Sequence, residues 1–193
     1  MMDPHADMIG LAREIETKTA EGALAWALDR FHPRIGFASS FGAEDVVVID
    51  MLARIRKDAR IFTLDTGRLH EETYDVMERI RKRYDIAIES HFPGRDEVER
   101  LEREKGLYSF RESIGNRKEC CSIRKVEPLS RALAGLDAWI SGLRRDQAVT
   151  RGKITKLEVD EARPGLLKLN PLVDWTHEQV WAYIREHKVP YNA

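Results

Sequence analysis

The sequence contains no apolar run long enough to cross a bilayer, no excess of either charge and only two cysteines among its 193 residues. Each shortage removes a class of protein. Without an uninterrupted apolar stretch of about 20 residues, membrane insertion is not expected. A formal net charge of −1, from 32 basic and 33 acidic residues, argues against a generally basic nucleic-acid binder, so no nucleic acid is expected as a partner. Two cysteines adjacent in sequence do not form an ordinary disulfide, and a chain of this length folds around one hydrophobic core without staples. The start, MMDPHADMIGLAREIETKTAEG, lacks the basic flank and apolar block of a secretory signal, which predicts a cytoplasmic protein with reduced thiols. Internal repeats and low-complexity tracts are missing as well.

What remains, 42% hydrophobic and 34% charged residues, describes a globular domain. Residues 8–30 repeat apolar positions at helical spacing, with Gly22 as an interruption, and Pro33 ends that helix. RIGFA (34–38) then reads as a buried strand, SSFGAED as a turn, and a helix begins near Asp45. The order repeats with RIFTLDT, GRLHEETYDVMERIRKRY and IAIES. Strand and helix in alternation predict an α/β fold, a single domain with a mostly parallel central sheet flanked by helices. RDEVERLEREKG reads as a charged helix, residues 122–134 as another with boundaries disturbed by Pro128, and DAWISG as a further strand. KLEVD and LLKLN suit a hairpin or edge pieces around Arg163, Pro164 and Gly165, and Thr176 with Gln179 forms a capping box for a last helix whose Val180, Trp181 and Ile184 face the core.

In an open parallel sheet, ligands collect beyond the carboxyl ends of the strands, and three polar loops fall there. SSFGAED offers Ser39, Ser40 and Gly42 at a helix start, either a phosphate seat or a capped turn, with Asp45 as a capping or first-turn residue. It matches neither the Walker pattern nor the dinucleotide fingerprint. TLDTGRLHEET offers Asp65, Thr66, Gly67, Arg68 and His70, either a turn before a helix or a site in which Asp65 and Thr66 bond a nucleotide's sugar or base; a lone His70 has an ordinary structural reading. SGLRRDQ opens a basic segment, residues 142–156, in which one of Arg144 and Arg145 pairs with Asp146 while the other faces a ligand. A solvated charged face and a site for a small anion both account for that segment.

Cys120 and Cys121 sit among Arg117, Lys118, Arg124 and Lys125, in NRKECCSIRKVEP. They are either two small partly buried side chains or sulfur ligands. A cationic setting suits a thiolate, the form that a metal ligand or reactive sulfur requires, but zinc needs about four ligands and no second cysteine cluster exists in the chain.

Five segments in order, SSFGAED, TLDTGRLHEETY, ECCSIRKVEPL, SGLRRDQAVTR and LNPLVDWTHEQVWAYI, carry a resemblance that spans roughly Phe37 to Tyr191. The sequence resembles the assimilatory adenylylsulfate reductases of the iron-sulfur type, within the group of phosphoadenylylsulfate reductases and adenine nucleotide alpha hydrolases. The resemblance implies an N-terminal helical segment (1–33), a sulfonucleotide-binding reductase domain (34–193), and an adenine nucleotide alpha hydrolase-like fold. It implies that Cys120 and Cys121 are two of the four ligands of a [4Fe-4S] cluster, and that Lys125 lies between cluster and substrate. Ser39, Ser40, Phe41, Gly42, Asp65, Thr66, Gly67, Gly142, Arg144 and Arg151 fall in segments that hold the substrate. Adenylylsulfate as substrate, thioredoxin or a similar dithiol as electron donor, and self-association are implied in the same way. In that family a second cysteine pair and the nucleophilic cysteine follow the part matched here, so a C-terminal tail is expected beyond PYNA. Other readings are a phosphoadenylylsulfate reductase, an ATP pyrophosphatase or adenylyltransferase, and a noncatalytic nucleotide-binding domain.

Overall fold

Strand β1 (Ile35–Ser39) is buried along nearly its whole length, and both of its edges are paired in parallel. On one side lies β2 (Arg60–Leu64), in register from Gly36 opposite Arg60 to Ser39 opposite Thr63; on the other lies β4 (Ala138–Ile140). A computed structural model describes residues 4–147 and 154–191 of the chain. Its six-stranded sheet has the order β3-β2-β1-β4-β6-β5, where β3 is Glu89–His91, β5 Leu157–Val159 and β6 Leu167–Leu169. Among the described residues only β5 runs antiparallel, paired with β6, so of the two readings of KLEVD and LLKLN the hairpin is the one observed. The single α/β domain with a mostly parallel sheet and flanking helices is therefore observed.

Eight α-helices cover the sheet among the described residues: α1 (Pro4–Glu16), α2 (Ala20–Phe31), α3 (Ala43–Ile55), α4 (Glu71–Tyr84), α5 (Arg95–Lys105), α6 (Ile114–Cys121), α7 (Glu127–Leu133) and α8 (His177–His187). Successive strand residues face opposite layers. Ile61 enters the larger core with Leu24, Val47 and Ile184, whereas its neighbour Phe62 enters a smaller one with Ala132, Leu133 and Leu166. A buried carboxylate ties the larger layer together. Asp50 of α3, 1% exposed, accepts hydrogen bonds from the hydroxyls of Tyr84 (2.6 Å) and Tyr183 (2.7 Å) and pairs with Arg54 at 2.7 Å.

Three local features differ from the sequence reading. The first amphipathic segment is two helices, divided where the Thr19 hydroxyl accepts the Gly22 amide and caps α2. IAIES yields a strand only at its end, Glu89–His91. Between residues 109 and 121, where no element was expected, α6 forms behind a Ser113 cap and is held by Lys105 bonding to Glu119. The capping box of α8 carries both of its reciprocal bonds.

Pro128 has a more specific effect than blurring a boundary. It has no N–H to give to the carbonyl four residues back, and its ring crowds that carbonyl. The helix widens into a π turn over Ser122–Val126, in which the Glu127 amide reaches the Ser122 carbonyl, and α7 follows. The cysteine helix, the π turn and α7 thus form one continuous rod that carries Cys120, Cys121, Arg124 and Lys125.

Candidate functional site

The chain leaves β1 for β2 and β3 on one side, then crosses to β4 on the other, so strand order reverses between β1 and β4. At such a switch point the loops after the two strands diverge and leave a crevice. Here it is a crevice of about 350 Å³ lined by Ser40, Gly42, Glu44 and Asp45 after β1 and by Ser141 and Gly142 after β4. One strand away, at the end of β2, a larger cleft of about 880 Å³ runs from Thr66 and Gly67 to the rod, where Cys120, Cys121, Arg124 and Lys125 line its wall. Arg68, Arg111 and Arg117 add further positive charge to that cleft against Glu102.

The loop after β1 engages its own donors. Both the Ser40 amide (2.5 Å) and its hydroxyl (2.7 Å) donate to Asp45 Oδ2, and the Phe41 amide donates to Ser39 Oγ at 3.1 Å. Phe41 is buried with φ at +60°, a left-handed conformation unusual for a residue with a side chain. Burial pushes the Asp45 carboxyl up to about 6, against the opposing hydrogen bonds from Ser40. Gly142 makes room for this carboxylate, since a Cβ there would collide with Asp45 Oδ1. The donors that the sequence suggested for a phosphate are therefore held by a carboxylate of the same loop.

After β2, Asp65 is buried and accepts from the Gly67 amide and the Tyr74 hydroxyl, each at 2.8 Å, closing a turn in which Gly67 has φ +70°. Arg124 fastens this turn to the rod. Its side chain is 5% exposed, Nη1 donates to the Thr66 carbonyl at 2.7 Å and Nη2 to Glu102 at 2.5 Å, while its buried Nε finds no partner among the described residues. Lys125, the next residue, is exposed on the cleft. Both cysteines are free, Cys120 half-buried and Cys121 exposed.

Of the residues singled out from sequence, the structure gathers Thr66, Gly67, Cys120, Cys121 and Lys125 around one cleft and Ser40, Gly42 and Gly142 around the other. Ser39, Phe41 and Asp65 stand behind them as buried supports. Arg144 is 4% exposed and its guanidinium grips Glu44 at 2.8 Å and the Trp175 carbonyl at 3.2 Å, with Asp146 at 3.7 Å. Glu44 is thereby held below its usual range, its burial outweighed by hydrogen bonds from its own amide and from Arg144. Arg145 reaches Asp174 and the Ile154 carbonyl, so neither of the paired arginines is turned over to a ligand alone. Lys156 likewise donates to the carbonyls of Glu16 and Lys18. Arg151 lies outside the described residues. Arg68 and His70, both offered by the TLDTGRLHEET loop, line the larger cleft. Sequence reasoning missed Glu44 as a lining residue of the crevice and the clamp made by Arg124; for Glu44 its place in the first turn of α3 was the available signal.

A [4Fe-4S] cluster takes four thiolates. Two free thiols on consecutive helical residues, opening on a cleft rich in arginine and lysine, fit two of those positions. Among the described residues no group of three or more histidine, cysteine, aspartate or glutamate side chains converges on a metal-sized site.

Comparison with known proteins follows the same lines. Residues 34–193 match the family model described as the phosphoadenosine phosphosulfate reductase domain. A protein from Burkholderia cepacia named adenosine 5′-phosphosulfate reductase is 47% identical over 170 residues, covering 88% of this chain and 68% of the relative. One of the same name from Allochromatium vinosum is 48% identical over 158 residues, 82% of this chain and 61% of that protein. The chain thus spans about two thirds of the length of these curated relatives. Among solved structures, the phosphoadenylyl-sulfate reductase of Candida auris in complex with phosphate superposes with a TM-score of 0.83 at 28% identity, covering 100% of this chain and 91% of that one. The adenine nucleotide alpha hydrolase-like fold is thereby shown, and the chain belongs to the phosphoadenosine phosphosulfate reductase family.

Proposed function

We propose that this chain is the nucleotide-binding core of an enzyme that reduces adenylylsulfate to sulfite and AMP for sulfate assimilation. The observation that carries the reading is that Cys120, Cys121 and Lys125 share one cleft with the Thr66–Gly67 turn, beside the switch-point crevice. The nucleoside lies along the strand ends, with Asp65, Gly67 and Gly142 shaping its seat. The phosphosulfate points into the basic cleft. A cysteine thiolate from outside these residues attacks the sulfur of the sulfo group; the sulfur–oxygen bond to AMP breaks and a cysteine thiosulfonate forms. A dithiol such as thioredoxin then attacks the cysteine sulfur, releases sulfite and becomes oxidised as its second thiol resolves the mixed disulfide. Lys125 offsets the charge that builds on the departing AMP phosphate, and Arg151 is a further anion contact in this reading. Arg144 acts through Glu44, and Arg124 keeps the nucleotide turn against the rod.

Cys120 and Cys121 would hold two corners of a [4Fe-4S] cluster, the other two thiolates coming from outside the chain, which has no further cysteine. Such a group supplies a fixed local field beside the phosphosulfate. The setting is the cytoplasm.

Sulfite release from adenylylsulfate with thioredoxin as donor tests the reading in the protein that contains this chain together with its attacking cysteine. Pyrophosphate release from ATP without sulfite would replace it with an ATP pyrophosphatase. Lys125→Ala is expected to lower the sulfite rate at least tenfold with an unchanged circular dichroism spectrum; a rate within twofold of the unaltered protein would remove its role. Cys120→Ser is expected to leave less than half of the iron and sulfide per chain. Full iron content in that variant would show that Cys120 is not a ligand.

A further inference from the structure

Among the described residues, the cleft at the end of β2 sets four arginines and Lys125 against a single carboxylate, Glu102. Glu102 serves two of these cations, Arg124 at 2.5 Å and Arg68 at 3.6 Å. Arg111, Arg117 and Lys125 pair with no carboxylate among the described residues. Of these three, Arg111 alone is held by aromatic rings. Its guanidinium lies 4.7 Å from the Tyr108 ring centroid and 5.5 Å from that of Phe110, and Arg68 lies over Phe110 at 4.8 Å.

The turn that carries both rings is pinned from beneath. Ser109, between them, is 3% exposed, and its hydroxyl donates to the Gly106 carbonyl at 3.2 Å. The Arg111 amide donates to the Tyr108 carbonyl at 2.9 Å, and Arg68 donates to the Leu107 carbonyl. A ring face attracts a guanidinium and restrains it without occupying its N–H groups, whereas a carboxylate would use them. Arg111 therefore offers a planar fork of donors, already restrained, in a cleft with excess positive charge, which is the arrangement that suits an oxyanion.

We propose that Arg111 binds the terminal oxyanion group of the nucleotide, which in adenylylsulfate is the sulfo group. This rests on the reductase reading above, which turns the phosphosulfate into this cleft and gives the phosphate to Lys125. That end of the molecule carries two negative groups, so a second cation is needed, and Arg111 is the restrained one without a carboxylate. It lies outside the five segments that carry the family resemblance. Tyr108 and Phe110 are positioning residues that act through its guanidinium.

Calorimetric titration with AMP and ADP in magnesium-free buffer tests this without turnover, because the terminal phosphate of ADP takes the place of the sulfo group and offers no sulfur to attack. In the protein that contains this chain, ADP is expected to bind at least fivefold more tightly than AMP. Arg111→Gln is expected to bring the two within twofold by weakening ADP alone. Phe110→Leu, which keeps the arginine and removes one ring face, is expected to weaken ADP at least twofold with AMP unchanged. A folded Arg111→Gln protein that keeps the ADP preference overturns the proposal, and so does an equal loss of both nucleotides, which would reduce Arg111 to a part of the general field. Should that variant not fold, Arg111→Lys decides: it keeps the charge and loses the planar fork, and a full ADP preference in it overturns the proposal. Equal affinity of the unaltered protein for AMP and ADP also removes the proposal and leaves the reductase reading intact. Failure to bind either nucleotide overturns both.

Discussion

Asp50→Ala is expected to destabilise the protein by about 3–5 kcal/mol, the range for breaking a buried charged hydrogen-bond cluster by removing one member. The carboxylate is 1% exposed and holds three groups at 2.6–2.7 Å: the hydroxyls of Tyr84 on α4 and Tyr183 on α8, and Arg54 one turn along α3. Arg54 is 45% exposed and returns to water once its partner is gone, so most of the cost falls on the two phenols left in an apolar layer. Burial and then the hydrogen bond to Asp50 push both phenols above their ordinary range. A raised phenol contributes stability that is complete below its unfolded value of 10.0 and is lost as pH rises beyond it, so the tie holds at neutral pH. Asp50→Asn keeps acceptor geometry for one phenol and is expected to cost less. Urea denaturation at pH 7.5 measures both. A loss below about 1 kcal/mol for the alanine variant would mean that the hydroxyls find other acceptors. The functional consequence is local, because α3 begins at the switch-point loop and Asp50 anchors it five residues from Asp45.

The parts of this architecture that were legible in sequence are those whose neighbours in space are neighbours in the chain, or whose burial leaves a period. RIGFA and RIFTLDT are apolar runs between turn residues, and each became a paired strand. Thr176 and Gln179 are three residues apart, so their reciprocal cap was readable directly. Helix α6 left no such mark. It has no buried residue, and what holds it is one serine cap and a lysine from α5. The division between α1 and α2 was hidden for the opposite reason, since apolar spacing continues across it. Pro128 was visible, yet its outcome, a π turn inside a continuous rod, depended on packing that a boundary rule does not contain. In the site, the cysteine pair was legible as two adjacent thiols among cationic residues, and the place of Lys125 beside them was implied by the family resemblance; the continuous helical rod that carries them was not expected. The meeting of Asp45 with Gly142, and of Glu44 with Arg144, was not: each joins residues about 100 positions apart that become adjacent only when β4 lies beside β1.

Asp45→Asn is expected to stabilise the ligand-free protein, the reverse of the usual effect of altering a site. The carboxyl rises from its ordinary 3.8 to about 6, with burial as the main cause and the neighbouring Glu44 charge adding to it. A carboxyl with a raised value makes its full contribution below its unfolded value, and that contribution is lost as pH climbs through the folded one. The loss is therefore absent below 3.8, grows between 3.8 and about 6, and is complete at pH 7.5, where it amounts to about 3 kcal/mol. Asparagine has no charge to bury and still accepts from the Ser40 amide and hydroxyl. The variant should melt about 6–12 °C higher than the unaltered protein at pH 7.5, and the difference should close toward pH 4. Equal melting temperatures at pH 7.5 would show that the crevice solvates the carboxylate and that its charge costs little. A gap that persists at pH 4 would trace the gain to packing. Sites that hold a charge against its own solvation are where stability is given up for function, and here a carboxylate buried with no cation beside it among the described residues is kept in place by two Ser40 donors and the missing side chain of Gly142.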